Sequence, residues 1–104
     1  MKNIRVLLLL CLILACNNQH NIQQLGKDYQ HNNTYANLKK VVDKMPLQVD
    51  TTYIKNILGE PINMGFDYRY TTDSIGPDSC TIGAVFHIDE KGKIDNVMLD
   101  QICE

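Results

Sequence analysis

The central part of the chain contains two stretches in which apolar residues recur with a helical period. The first stretch has the i, i+3, i+4, i+7 spacing that places side chains on one helix face, at Leu38, Val41, Val42 and Met45. Asn33 or Thr34 can cap the start of this helix, and Pro46 ends it. The pattern therefore predicts a helix over about 35–45.

The second stretch carries start and stop signals at its two ends. The carboxylate of Asp50 can accept hydrogen bonds from the free amides of a first helical turn. Val49 and Ile54 have the spacing of a hydrophobic staple. Gly59 supplies the left-handed residue that closes many helices, and a proline two residues later prevents continuation. These signals predict a helix over about 51–58.

Beyond this helix the hydrophobic period changes to two, which is typical of strands with one buried face. The first alternating run contains Met64, Phe66, Tyr68 and Tyr70. The second contains Cys80, Ile82, Ala84, Phe86 and Ile88. Residues 94–103 form a third predicted strand. The segment 71–79 (TTDSIGPDS) is rich in turn residues, and 89–93 (DEKGK) predicts a hairpin turn in which Gly92 can take a positive φ.

The last hairpin predicts where Cys80 and Cys103 lie. If Lys91 and Gly92 make a two-residue loop, the numbers of paired residues sum to 183, and Cys80 lies opposite Cys103. The same register gives the pairs Phe86–Val97 and Ala84–Leu99. Directly opposed Cβ atoms lie about 4.5–5.5 Å apart, slightly wider than a disulfide prefers, so sheet twist or a shift of one pair must help. A three-residue loop would place Cys103 near residue 79, which is still within reach.

The order of elements is helix, helix, strand, strand, strand. The simplest packing for this order is an α+β domain in which two N-terminal helices lie on one face of a three-stranded antiparallel sheet (ααβββ). Residues 34–104 are predicted to form this single small domain. A chain of this length buries a modest core and often uses a covalent staple.

The start of the chain has the pattern of an export signal. Lys2 and Arg5 form a basic head, and residues 6–15 form an apolar run without a charge. A membrane-spanning helix needs about 20 apolar residues, so this run is too short to remain as a span. Residues 1–15 are therefore predicted to be a signal peptide that is removed by cleavage.

The cleavage site resembles the bacterial lipobox, in which an aliphatic, an apolar and a small residue precede a cysteine. The matching residues are Ile13, Leu14, Ala15 and Cys16. Ordinary cleavage requires small residues at the first and third positions before the bond. A cut after Ala15 would place the large Ile13 at the third position, and a cut after Cys16 would place Leu14 there. The alternative to a lipoprotein is a simple secreted protein with a poor cleavage site. The resemblance implies a lipoprotein signal peptide and a diacylglyceryl lipid on Cys16. Because Asn17 is not acidic, it also implies the outer membrane, facing the periplasm.

Residues 16–33 are predicted to be the lipidated cysteine followed by a disordered tether. The segment is rich in Asn and Gln, and we read no helical or strand period in its few apolar residues. A flexible chain of this length has a mean reach of roughly 20–25 Å. The folded domain would then lie close to the membrane surface.

Charge and cysteine content restrict the class of protein further. Eight of the ten basic residues and all twelve acidic residues follow Cys16, so the mature chain has a net charge of −4, against −2 for the whole chain. It contains no basic run, which argues against nucleic-acid binding. Cys11 leaves with the signal, and Cys80 and Cys103 remain as an even pair in an exported chain. A disulfide is the default expectation for such a pair, and two free buried cysteines are the alternative.

Three segments resemble the small outer-membrane assembly lipoproteins of the SmpA/BamE type. They are 54–61 (IKNILGEP), which resembles the family's V-x-x-L-L-G-x-P element, 68–70 (YRY), which resembles its aromatic-x-Tyr strand, and 85–88 with 92–94 (VFHI and GKI), which resemble its hairpin. The similarity covers roughly 48–99, and Gln48 stands where the family usually has glycine. The resemblance implies a β-lactamase-inhibitor-protein-like α/β fold that makes protein–protein contacts at the cell envelope, without catalysis.

Candidate chemistry within the predicted domain is sparse. His87 falls on the strand face opposite Phe86, and we predict that it is solvated rather than catalytic. The acidic residues of the hairpin lack the spacing of a calcium loop; they are Asp89, Glu90 and Asp95. We therefore predict no catalytic, cofactor-binding or metal-ligating residue, and no cofactor.

The sequence favours a membrane-anchored lipoprotein that binds or scaffolds another envelope protein. The alternative is a periplasmic inhibitor or immunity-type protein that binds an exported enzyme, because the implied fold is also used in that way. Tyr68, Tyr70 and Ile75 are candidate partner-binding residues, since Tyr is enriched at interfaces; for the tyrosines, packing beneath the helices is the alternative. A hydrolase is the third possibility, which the residues present disfavour, and an exposed apolar patch near 71–79 or on the outer sheet face would favour binding over it.

Overall fold

The computed structural model describes residues 21–103, which form an α+β domain. The helices are α1 (21–31), α2 (Tyr35–Lys44) and α3 (Thr51–Leu58), and the strands are β1 (Ile62–Asn63), β2 (Asp67–Ile75), β3 (Thr81–Ile88) and β4 (Ile94–Ile102). Neighbouring strands are antiparallel, in the order β1-β2-β3-β4. The predicted class and the order of helices before sheet are confirmed, but the described residues contain one more helix and one more strand than predicted. The predicted signal peptide (1–15) and Cys16 lie outside the described residues.

Helix α1 occupies most of the predicted tether, so the prediction of disorder over 16–33 is wrong for its described part. Ile22, Leu25 and Tyr29 lie at i, i+3 and i+7. This stripe packs into the core, where Ile22 is 6% and Tyr29 5% exposed. Burial of these side chains offsets the entropy lost on ordering the helix. The sequence did not predict this helix because the segment is rich in Asn and Gln and its apolar stripe has only three residues.

Close packing against α3 fixes the position of α1. A Cβ atom at Gly26 would overlap the carbonyl oxygen of Ile57, so only glycine fits at this contact. One turn later, Gln30 Nε2 donates a hydrogen bond to the same carbonyl (3.0 Å). The last turn of α3 therefore satisfies one of its free carbonyls through α1.

Helix α2 begins and ends close to its predicted bounds. Thr34 Oγ1 accepts a hydrogen bond from the backbone amide of Asn37 (3.1 Å), so Thr34 is the cap. Leu38 and Val41, on the predicted apolar face, are fully buried. The helix ends before Pro46, as the sequence predicts.

Helix α3 has the predicted bounds but lacks the predicted side-chain cap at its N-terminus. Gly59 closes it with φ of 86°. The Asp50 side chain makes no capping hydrogen bond and instead pairs with Lys93 Nζ. Lys93 comes close because the amide of Gln48 donates to the carbonyl of Ile94 (2.7 Å), which pins the segment before α3 against the start of β4.

The run 64–70, predicted as one strand, contains a hairpin. Gly65 (φ 89°) and Phe66 form its turn, closed by a hydrogen bond from the Met64 amide to the Asp67 carbonyl (3.0 Å). This turn creates β1, the additional strand. Met64 and Phe66 consequently leave the predicted buried face and are 41% and 59% exposed.

Strand β2 continues through most of the segment 71–79, which was predicted as a turn. It ends at Ile75, after an irregularity in its pairing with β3. Thr72 Oγ1 donates to the carbonyl of Ile82 (2.8 Å), and the amide of Asp73 donates to the carbonyl of Asn33 (2.8 Å). The loop after α1 thus covers the edge of β2 that β1 is too short to reach, which protects it from other strands.

The β3–β4 hairpin reaches the predicted register through a different loop. The loop has three residues, 90–92, because the amide of Asp89 donates to the carbonyl of Lys93 (2.8 Å). Asp95 is then an extra residue on β4, a β-bulge that restores the predicted pairing. Beyond the bulge the structure confirms the predicted pairs Phe86–Val97 and Ala84–Leu99.

The predicted cysteine pair is also confirmed. The sulfur atoms of Cys80 and Cys103 lie at bonding distance, and their Cα atoms are 5.2 Å apart. The two residues flank the start of β3 and the end of β4. The disulfide therefore closes the end of the sheet opposite the β3–β4 hairpin.

The three helices cover one face of the sheet, which we call the inner face. Side chains from α1, α2, α3 and the strands form one continuous core there. Its largest fully buried members are Phe86, Leu38, Ile54, Ile94 and Val41. The opposite, outer face has no helix packed on it in the described part of the chain.

Candidate protein-binding surface

Two of the three predicted partner-binding residues lie in the core. Tyr68 and Tyr70 are 6% and 3% exposed on the inner face. The expectation that they contact a partner is therefore wrong, and they follow the alternative of packing beneath the helices. Side chains of a strand alternate between faces, so the two tyrosines share the covered face of β2.

These tyrosines belong to an aromatic stack. Ring centroids of Tyr29 and Tyr70 lie 6.4 Å apart, and those of Tyr70 and Phe86 lie 5.8 Å apart, both edge to face. The Tyr29 hydroxyl donates to the Thr71 carbonyl, and the Tyr70 hydroxyl donates to the Gly59 carbonyl (2.9 Å). Burial raises the pKa of Tyr29 to about 12 and that of Tyr70 well above its usual range. Both phenols are neutral groups that join α1 and α3 to the sheet.

Ile75, the third predicted residue, is on the surface. It is the last residue of β2, is 63% exposed and pairs with Thr81 across the irregular part of the β2–β3 ladder. An exposed apolar side chain therefore lies within 71–79, one of the two regions in which exposed apolar residues would favour a binding role. It remains a candidate contact near the disulfide end of the sheet.

A row of three apolar residues and one arginine crosses the outer face from β1 to β4. The strand register places Ile62, Arg69, Val85 and Met98 side by side. Ile62 is 53% exposed, Met98 is 52% exposed, and Val85 is half-buried between them. Because directly paired Cβ atoms lie about 4.5–5.5 Å apart, the row forms a continuous surface.

Two further exposed apolar residues adjoin this row. Met64 lies two residues beyond Ile62 on the same side of the β1 strand, and Phe66 follows it in the turn. Phe66 lines a groove of about 470 Å³ together with His87 and Asp95. We call these apolar residues the outer-face patch: Ile62, Met64, Phe66, Val85 and Met98.

Two ion pairs lie beside the outer-face patch. Arg69 Nε donates to Asp67 Oδ1 (3.1 Å), and Asp67 is only 4% exposed. His87 Nδ1 lies 2.7 Å from Asp95 Oδ1 at the surface. A buried pair such as Asp67–Arg69 holds its charges in one geometry. A partner would therefore meet the partly exposed Arg69, held by Asp67, and the surface pair His87–Asp95 beside exposed apolar side chains.

Sequence reasoning missed the residues of the outer-face patch, although two signals pointed to them. Gly65 between Met64 and Phe66 indicates a turn, which would have removed both residues from the buried face. The predicted register, in turn, pairs Met98 with Val85, on the face opposite Phe86. Ile62 carried no signal, since a two-residue strand is too short to show a period.

Two features are absent from residues 21–103. No group of three or more His, Cys, Asp or Glu side chains in this part is placed to hold a metal ion. No helix of this part combines the length and apolar character needed to cross a bilayer. Comparisons of the chain with protein-family models, with curated proteins and with solved structures give no match.

Proposed function

We propose that the protein is a lipid-anchored lipoprotein of the bacterial cell envelope that binds another envelope protein through the outer-face patch. The observation that carries this proposal is the group of exposed apolar side chains on the outer face, among them Ile62 and Met98. The solvated face of an antiparallel sheet normally carries polar residues. Several exposed apolar residues grouped on such a face are typical of a site of protein contact.

The anchor in this proposal comes from the sequence. Residues 13–16 resemble a lipobox, and a diacylglyceryl group on Cys16 supplies at least two acyl chains. Each buried CH₂ contributes roughly 0.8 kcal/mol to membrane partition, and two chains suffice for stable anchoring. Asn17 is the basis for proposing the outer membrane, facing the periplasm.

Two local features support the resemblance to SmpA/BamE-type lipoproteins. Gln48, at the position where those proteins usually have glycine, has φ of 65°, a backbone region that favours glycine. The segment resembling V-x-x-L-L-G-x-P forms α3 and its glycine cap, with Ile54, Ile57 and Leu58 buried. Protein contact at the envelope, which the resemblance implies, agrees with a role for the outer-face patch.

Binding rather than catalysis is the activity that we propose. His87, the histidine of the strands, pairs with Asp95 at an exposed position, where water competes with any substrate group. The outer-face patch instead offers five apolar side chains beside a fixed ion pair. This combination resembles the apolar core and polar rim of protein interfaces.

Site-specific photo-crosslinking in intact envelopes tests this function. A photoreactive amino acid replaces Met98 in one variant and Ile75 in another, and a third carries it at Lys40, which is exposed on α2, away from the outer face. We expect the Met98 variant to give a discrete crosslinked product that the Lys40 variant lacks. The Ile75 variant shows whether the contact reaches the disulfide end.

Two outcomes separate the parts of the proposal. Identical products from the Met98 and Lys40 variants would contradict binding through the outer-face patch. A Cys16→Ser variant should lose lipid labelling and accumulate as uncut precursor, and unchanged labelling would contradict the anchor. If the crosslinked partner is an exported enzyme that loses activity on stoichiometric binding, the protein is an inhibitor instead of a scaffold.

A further inference from the structure

The domain has two ends that differ in structure and charge. The hairpin end contains the β3–β4 loop (89–93) and the segment 45–50, which hydrogen bonds to the start of β4. The disulfide end contains the β2–β3 turn (76–79) and the Cys80–Cys103 bond. The long strands β2, β3 and β4 run between these two ends.

Helix α1 is oriented along the same axis. Ile22 and Gln23 line a cleft with Tyr53, in the first turn of α3, and Asp50 just before α3 pairs with Lys93 of the hairpin. At the other end of α1, the carbonyl of Asn33 accepts a bond from the Asp73 amide, near the end of β2. The chain therefore enters the described domain on the side of the hairpin end.

The length of chain before residue 21 limits how far this entry point can lie from a membrane. If Cys16 carries the lipid, only residues 17–20 separate it from residue 21. At full extension these five residue steps span about 17 Å. A tether reaching to residue 33 would have let the domain tumble, whereas an ordered α1 places the entry point beside the bilayer.

The hairpin end and the disulfide end also differ in charge. At the hairpin end, Lys44, Lys91 and Lys93 are balanced by three acids, Asp50, Asp89 and Glu90, so this end has no net charge. Asp50 is paired with Lys93, and Asp89 accepts bonds from amides of its own loop. In contrast, residues 70–88 and 94–103 contain no Lys or Arg. Their acidic members include Asp73, Asp78 and Asp100. A bilayer with anionic lipids repels the disulfide end and attracts lysines.

Resting on the lipid anchor proposed above, we infer that the hairpin end is the membrane-facing surface of the domain. Its occupant is the headgroup layer of the bilayer that holds Cys16. Leu47, 50% exposed in the segment 45–50, is the apolar side chain that contacts this layer. The disulfide end then points away from the membrane. The outer-face patch consequently faces sideways, towards a neighbour in the same envelope.

Energy transfer from the anchored protein to the bilayer tests this orientation. The mature lipidated protein is reconstituted in vesicles of phosphatidylethanolamine and phosphatidylglycerol that carry a headgroup-linked acceptor dye. The donor dye is attached to a new cysteine in Glu90→Cys or in Asp73→Cys, two exposed acidic positions at opposite ends. We expect higher transfer from residue 90 than from residue 73.

Two control proteins separate tethering from surface contact. A flexible Gly/Ser segment inserted between residues 20 and 21 should shrink the difference in transfer, and Leu47→Asp should also reduce it. Equal transfer from the two positions, or higher transfer from residue 73, in protein that co-floats with vesicles would overturn the orientation and leave the anchor intact. Failure of the unaltered protein to co-float would overturn the anchor and the orientation together.

Discussion

The two faces of the sheet contrast in what covers their apolar residues. On the inner face, Tyr70 and Phe86 are buried under three helices. On the outer face, Ile62 and Met98 come from the same sheet and stay about half exposed. Folding explains the inner set, because burial of those side chains stabilises the domain. It does not explain the outer set, whereas the partner that we propose would cover those side chains.

The largest effect should come from the centre of the inner face. Phe86 is fully buried between β2 and β4, so Phe86→Ala creates a cavity and should destabilise the domain by about 3–5 kcal/mol. Urea unfolding of a soluble form that starts after Cys16 measures the free energy of unfolding. Val85→Ala, on the neighbouring outer position, is the matched control and should lose much less. Equal losses at the two positions would remove the contrast between the faces.

Loss of the disulfide should have the next largest effect, and it tests both faces together. Cys80→Ser with Cys103→Ser opens a loop with a sequence separation of 23 residues. In a chain-entropy estimate this costs about 3 kcal/mol. The bond lies at one end of the sheet, so the double variant should keep the Met98 crosslink at temperatures where it is folded. A thermal midpoint equal to that of the unaltered protein would contradict a stabilising role.

The sequence predicted the elements whose local signals agree with their tertiary surroundings. Helix α3 has a glycine stop, and α2 has a threonine cap, and both form where those signals lie. The β3–β4 pairing was also predictable, although through a loop of the wrong length. A bulge at Asp95 cancelled the error, so the alternation of side chains between faces carried more information than the loop length did.

The elements that sequence reasoning missed depend on contacts from distant parts of the chain. Helix α1 has few apolar residues and becomes ordered because Ile22 and Tyr29 meet α3 and the sheet. Strand β1 has two residues and exists because Gly65 turns the chain back onto β2. The candidate site shares this origin, since the outer-face patch combines that hairpin with Met98 of β4. The exposure of these side chains follows from helices packing on one face only.

A smaller effect is expected at the edge of the inner face, where α1 meets β2. Tyr29→Phe removes the hydroxyl that donates to the Thr71 carbonyl and should cost about 1 kcal/mol at neutral pH. The pKa of Tyr29 is raised from 10.0 to about 12 by burial. Below pH 10 the phenol is protonated in the folded and unfolded chains, and pH has no effect through it. Between pH 10 and 12 only the unfolded chain loses the proton, so the free energy of unfolding falls.

Alkaline titration of the unfolding free energy therefore distinguishes Tyr29→Phe from the unaltered protein. The variant should lose less stability between pH 10 and 12, because one of the buried phenols is gone. Tyr70, whose pKa burial also raises, still contributes to the remaining decline. Parallel pH profiles for the two proteins would contradict burial of Tyr29 against the sheet, and with it the assignment of α1 to the core.

The smallest effect on stability, and the sharpest test of the comparison, is expected on the outer face. Met98 is 52% exposed, so Met98→Ser should change the free energy of unfolding by no more than about 0.5 kcal/mol. If the outer face is covered by a partner, the same change should weaken co-purification of that partner, because the partner would bury the exposed half of the Met98 side chain. Asn96→Ser, two residues earlier on the same exposed side of β4, is the matched control and should leave co-purification unchanged. The opposite result is a Met98→Ser protein that is as stable as Asn96→Ser and retains as much partner. It would leave Met98 of the outer-face patch without a function, since neither folding nor binding would then require this side chain.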